Sequence, residues 1–176
     1  GDYPTSEPQL QLRLPTERYY EEEGRAELTP RDFGILMHRV FENAATTDEI
    51  YMAIEAMTQD GVLDEKEAPR LRELVEKALA DPVTAEWFGG RWQVVRNENE
   101  IILPGSGTTR RPDRVMTDGE RAVVVDYKFG DRETARHRKQ IREYLRLLRQ
   151  MGYTRTEGYL WYVRLGRTER VEEKED

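Results

Sequence analysis

Apolar residues recur three and four apart at Phe33, Leu36, Met37, Val40, Phe41 and Ala44, which predicts an amphipathic helix. Thr29 and Pro30 stand where a cap and a first helical residue belong. A second helix is capped at Thr47-Asp48-Glu49, carries Ile50, Ala53, Ile54 and Met57, and stops at Asp60-Gly61. A third carries Leu71, Leu74, Val75, Ala78 and Leu79. A short fourth starts at Asp81-Pro82 and ends near Trp87-Phe88, before Gly89-Gly90. From Arg91 the period changes to two. Trp92 to Arg96 reads as a strand, Ile101-Ile102-Leu103 as another, and Pro104 to Gly107 as a turn. Two further strands, Asp113 to Met116 and Arg121 to Lys128, flank Thr117-Asp118-Gly119-Glu120, a hairpin signal. A long helix over about 133–151 buries Ile141, Leu145, Leu147 and Leu148, and Gly152 closes it. Glu157 to Val163 reads as a strand, followed by a turn at Gly166, a last short strand and a charged tail from Glu172 that should fray.

This order predicts an α/β fold: a mixed central sheet with an N-terminal helical subdomain. The strand after the long helix can lie parallel to the one ending at Lys128, with the helix as a right-handed crossover. Residues 1–30 carry four prolines and little periodicity, and read as an extended lead-in from a larger parent. Leu10, Leu12 and Leu14 alternate as a short edge strand would. The domain is expected over 31–172, with 31–90 helical and 91–172 holding the sheet. The chain begins with Gly1, not Met, and is read as a piece of something longer.

Composition narrows the chemistry. A chain of 176 residues is long enough for one domain with a true core. It has no cysteine, which excludes an iron–sulfur cluster, a thiolate zinc site, a thiol nucleophile and disulfides, and fits a reducing cytoplasm. No run is apolar enough to cross a membrane, so no membrane partner is expected. Net charge is −7, which disfavours broad attraction to nucleic acid, yet Arg132, Arg136, Arg138, Lys139, Arg142, Arg146 and Arg149 cluster. There is no Gly-x4-Gly-Lys-Ser/Thr loop, hence no NTPase motor by that route.

The strand Arg121–Lys128 is the unusual one. Its β-branched run ends in Asp126 and Lys128, which share a face because side chains alternate. Asp113, on the other arm of the hairpin, can approach Asp126. Two carboxylates brought together repel unless a cation lies between them, and a hard divalent ion would satisfy them. The plain alternative is an ion pair of Asp126 with Lys128 or Arg114. Glu98 and Glu100 are two apart and could share a face, or be ordinary exposed charges. His38 lies beside the apolar stripe of the first helix, where a histidine is more often a satisfied boundary residue than a ligand. Gly34, one turn earlier, would let that helix pass close to the sheet. Gln140 and Tyr144 project from one helix face.

Arg111-Pro112-Asp113 followed by Asp126-Tyr127-Lys128 resembles the signature of the PD-(D/E)xK nucleases. More narrowly, the chain resembles the C-terminal nuclease domain of RecB and AddA helicase–nucleases. The residues that carry this are Gly34 to His38, Glu98 or Glu100, Asp113-Arg114, Asp126-Tyr127-Lys128-Phe129-Gly130, Gln140 to Tyr144 and Gly158-Tyr159-Leu160. Phe129 stands where that family usually has Thr. The resemblance implies a restriction-endonuclease-like sheet flanked by helices. It implies that His38, Asp113, Asp126 and the carbonyl of Tyr127 ligate Mg²⁺, with Mn²⁺ able to substitute, and that Lys128 is the catalytic lysine. Glu98 is favoured over Glu100 as the residue serving a second ion or a water, and Gln140 and Tyr144 would brace the site or contact DNA. The implied function is exonuclease-type DNA cleavage in double-strand break repair and recombination. The substrate would be single-stranded DNA fed by a helicase of the same parent chain, with a second helicase–nuclease subunit as a possible partner. The rival reading is a catalytically idle domain of this fold that binds DNA or a partner.

Overall fold

The structure is a computed structural model, and it describes residues 27–98, 101, 111–129 and 134–174. Four helices come first: α1 (Pro30–Glu42), α2 (Thr47–Gln59), α3 (Glu67–Ala78) and α4 (Pro82–Trp87). Strands β1 (Val94–Asn97), β2 (Arg114–Asp118) and β3 (Arg121–Lys128) follow, then α5 (Thr134–Gln150), β4 (Arg155–Tyr162) and β5 (Arg167–Val171). The sheet runs in the order β1-β2-β3-β4-β5. β1, β2 and β3 form an antiparallel meander, β4 lies parallel to β3 across α5, and β5 returns antiparallel to β4. The mixed α/β sheet flanked by helices is the expected architecture. No described helix is long and apolar enough to cross a membrane.

Side-chain alternation divides the core in two. Val123, Val125 and Tyr127 of β3 join Met116, Tyr159 and Trp161 against α1 to α4. Ala122 and Val124 join Val115, Leu160 and Tyr162 against Ile141, Tyr144, Leu145 and Leu148 of α5. The first layer is aromatic: Phe41 and Tyr127 lie 4.8 and 5.5 Å from Trp161, ring centre to ring centre. The second is tight. A Cβ on Gly158 would overlap Ile141 Cγ2 and fall 3.2 Å from Leu145 Cδ1, so α5 rests directly on the β4 backbone.

Local chemistry explains most boundaries. Thr29 accepts from the Asp32 amide at 3.1 Å and Asp32 Oδ2 accepts from the Thr29 amide at 2.8 Å, a reciprocal cap ahead of Pro30. Asp81 caps α4 one way, its carboxylate accepting from the Val83 amide at 2.8 Å ahead of Pro82, and Gly119 (φ 58°) and Gly152 (φ 107°) supply the left-handed turns after β2 and α5.

Some expectations shift. The α2 cap is Thr46, whose hydroxyl accepts from the Glu49 amide at 3.3 Å, rather than Thr47. β1 begins at Val94, because the Trp92 indole donates to the Glu86 carbonyl at 2.9 Å and is held on α4. Ile101 is buried but lies outside any strand, its amide turning back to the Glu98 carbonyl at 3.3 Å. Residues 102–110, the lead-in to 26 with its Leu10-Leu12-Leu14 pattern, Glu100, Gly130 and Arg132 lie outside the described residues. In the tail, Glu173 pairs with Arg149 of α5.

Candidate active site

Strand register builds the carboxylate cluster. Asn97 of β1 faces Arg114 of β2, and Arg114 faces Val125 of β3. Continuing both ladders by one residue puts Glu98, Asp113 and Asp126 in a single row across three strands. Like charges placed directly opposite destabilise a sheet, so the row needs compensation. Asp113 and Asp126 are 3 % and 2 % exposed, which makes the demand stronger.

Part of the compensation comes from backbone amides. Asp126 Oδ1 accepts from the Asp113 amide at 3.1 Å, and Asp113 Oδ2 accepts from the Tyr127 amide at 2.7 Å. Each carboxylate is thus oriented by the other strand's backbone. A strand residue directs its N–H and C=O to the same edge. The Tyr127 carbonyl therefore faces the side on which Asp113 lies, while its ring packs among the aromatics beneath α1.

His38 enters from α1. Its Nε2 lies 3.4 Å from Asp113 Oδ1 and its Nδ1 3.6 Å from Glu42 Oε2. The rings of Tyr127 and Phe129 meet the imidazole edge-on at 6.0 and 5.6 Å. Burial disfavours the imidazolium, but the hydrogen bond to Asp113 and the charges of Asp113, Glu42 and Glu98 outweigh it, so the pKa is raised. A place that draws a proton this way also draws a metal cation. His38, Glu98 and Asp113 offer one ligand atom each, all within 4.8 Å of one another. With a carboxylate beside the imidazole nitrogen remote from the cluster, the set fits a hard divalent ion with one nitrogen ligand. Gly34 does sit against the sheet side, but a Cβ there would meet Phe129 at 3.6 Å, ordinary contact, so the close approach does not demand glycine.

Lys128 is 8 % exposed and closes β3 on the face shared with Asp126, towards α5. Its Nζ is 3.3 Å from Nδ1 of His137, in the first turns of α5. Sequence reasoning missed His137. The available signal was its place one turn ahead of Gln140 and two ahead of Tyr144, on the same helix stripe.

Arg114 does not pair with Asp126 as the plain alternative allowed. Its guanidinium is fully buried and donates to the carbonyls of Ala44 (2.5 Å), Ala45 (2.8 Å) and Trp87 (2.7 Å), stacked 3.9 Å over Phe88. It collects carbonyls just beyond α1 and at the end of α4, ties the helices to β2, and so sets where Asp113 begins. Gln140 is half-buried on α5. Tyr144 is buried in the second core and lines a separate cavity of about 280 Å³ with Arg96, Ile101 and Val115. The structure does not bring Tyr144 to the cavity of about 520 Å³ that holds His38 and Asp113. That larger cavity opens between α1 and the end of β3, with Arg31 and Arg164 on its walls.

A family model described as the PD-(D/E)XK nuclease superfamily matches residues 9–176. No curated protein matches the chain.

Proposed function

Because the chain belongs to the PD-(D/E)XK nuclease superfamily, we propose that it is a Mg²⁺-dependent deoxyribonuclease of the RecB/AddA helicase–nuclease type. The observation that carries the reading is the row of half-buried Glu98 and buried Asp113 and Asp126, with His38 Nε2 at 3.4 Å from Asp113. A structural ion pair would not concentrate three carboxylates in one place.

His38, Asp113, Asp126 and the Tyr127 carbonyl would hold the ion, with Glu98 beside them for a second ion or a water. The bound ion supplies positive charge that offsets the carboxylates and polarises the scissile phosphate. Lys128 contributes an ammonium on the Asp126 face, where it can donate to a phosphate oxygen or hold the attacking water. The backbone amides of Asp113 and Tyr127 keep the two carboxylates from rotating away. Arg31 and Arg164 border the cavity leading out from His38 and suit the phosphates of the entering strand. Gln140 would brace this end of the sheet from α5. Tyr144 would act at one remove, by fixing α5 on the sheet.

The finer reading is exonuclease-type cleavage of single-stranded DNA delivered by a helicase of the same parent protein, in double-strand break repair and recombination. Residues 31–172 would form the nuclease unit, and a second helicase–nuclease subunit would be the partner. Labelled single-stranded DNA is the test, incubated with Mg²⁺, Mn²⁺ or EDTA. Cleavage with either ion and none with EDTA is expected, together with a rise in melting temperature on adding Mn²⁺. DNA binding without cleavage under any ion would instead favour an idle domain of this fold.

A further inference from the structure

An ammonium on a long side chain is a poor catalyst until something fixes its direction. Lys128 leaves the sheet at the end of β3, and its Nζ has three hydrogens to place. One of them meets His137. Lysine ammonium has no acceptor, so at 3.3 Å the imidazole Nδ1 is the acceptor and Nζ the donor. The backbone beneath His137 is itself pinned. Its neighbour Arg138 grips Glu169 of β5 through two bonds of 2.6 and 2.8 Å, and Ile141 one turn on is wedged against Gly158. The start of α5 is thereby fixed to β4 and β5, and β4 pairs in parallel with β3 along its whole length. His137 thus measures the position of Lys128 from a rigid frame.

We propose that His137 is a positioning residue for Lys128. Its Nδ1 accepts one ammonium hydrogen and turns the others towards the carboxylate row. The proposal rests on the reading of Lys128 as the catalytic lysine. It assigns His137 no contact with DNA or metal.

The test compares wild type, His137→Leu, His137→Asn, Lys128→Ala and the double variant Lys128→Ala/His137→Leu, in DNA cleavage and in melting with and without Mn²⁺. Leucine keeps bulk but removes the acceptor, whereas asparagine returns an oxygen near the Nδ1 position. His137→Leu should lower kcat by roughly 10–100-fold, the scale of a small misplacement of a reacting group, with KM for DNA and the Mn²⁺-induced melting shift unchanged. His137→Asn should recover most of the rate, and the double variant should be no slower than Lys128→Ala alone. If wild type cleaves and His137→Leu keeps its kcat, or raises KM instead, the positioning role is wrong while the nuclease reading stands. If asparagine is as slow as leucine at equal melting temperature, the Nδ1 acceptor is not what matters and the proposal falls. A wild type that cleaves nothing removes the nuclease reading and, with it, this role.

Discussion

β3 carries charge at both ends, and the two ends treat it differently. At its start, Arg121 donates to Glu157 at 2.6 Å and to Glu86 at 2.7 Å, and its guanidinium lies 4.9 Å from the centre of the Trp92 ring. All of these groups keep contact with water. At its end, Asp126 and Lys128 are buried, and the row through Asp126 holds three carboxylates. The first arrangement is what stability alone produces: opposite charges, bidentate geometry, a wet rim. The second gathers like charges at a buried strand end, an arrangement that a bound cation would favour. One strand supports both because the helical layer on one face and α5 on the other hold it rigid.

The largest effect should come from the buried end. Asp126→Ala and Lys128→Ala should each lower metal-dependent DNA cleavage by roughly 10²–10⁴-fold, the usual reach of a positioned acid, base or charge, while the far-UV circular dichroism stays native. Lys128→Ala cleaving as fast as wild type would dissolve the contrast between the two ends.

Next is Arg114, the buried cation that borders the site without belonging to it. Arg114→Met leaves the carbonyls of Ala44, Ala45 and Trp87 without their donor. Orphaned buried acceptors cost about 1–3 kcal/mol each, so the loss should be at least about 3 kcal/mol, or roughly 6–12 °C in Tm. A melting temperature within 2 °C of wild type, on that same scale, would mean those carbonyls find other donors. Gly158→Ala should cost less, about 1–3 kcal/mol, since Ile141 must move to admit the methyl. Combining it with Ile141→Val should return part of that in a chemical-denaturation cycle, and strict additivity would show that the two do not touch.

These residues also show what a sequence can display. The apolar run of β3, the Asp118-Gly119 turn and the stripe of α5 are local patterns with periods of two and 3.6, and each became the expected element. The row of Glu98, Asp113 and Asp126 was half legible: Asp113 and Asp126 flank one hairpin, whereas Glu98 joins only through the β1–β2 register, and β1 starts later than its pattern suggested. The work of Arg114 was hidden because its partners are backbone carbonyls 27 to 70 positions earlier, and carbonyls have no sequence signature. His137 was hidden among arginines on a helix that reads as a solvated basic face. Gly158 was matched as part of a motif, but its reason, clearance for Ile141, exists only once α5 lies on β4.

The smallest effect belongs to the rim. Arg121→Met should lower stability by about 1 kcal/mol or less, because Arg121, Glu86 and Glu157 are hydrated and salt screens them. Its pH dependence has a definite sign. Burial pushes the Glu157 carboxyl up, but the hydrogen bond and charge of Arg121, with the Tyr159 hydroxyl and Arg170, outweigh it and hold the folded pKa below its ordinary value. The unfolded chain therefore binds that proton first as pH falls. The contribution is complete above the unfolded pKa and disappears as pH drops through the folded one. Melting curves of wild type and Arg121→Met should differ near neutrality, converge in acid and converge again in 1 M salt, with DNA cleavage unchanged throughout. A difference that persists at pH 2 would assign the role of Arg121 to its stacking on Trp92 rather than to its charge. A change in cleavage would mean that the two ends of β3 are coupled, and that the rim is not merely structural.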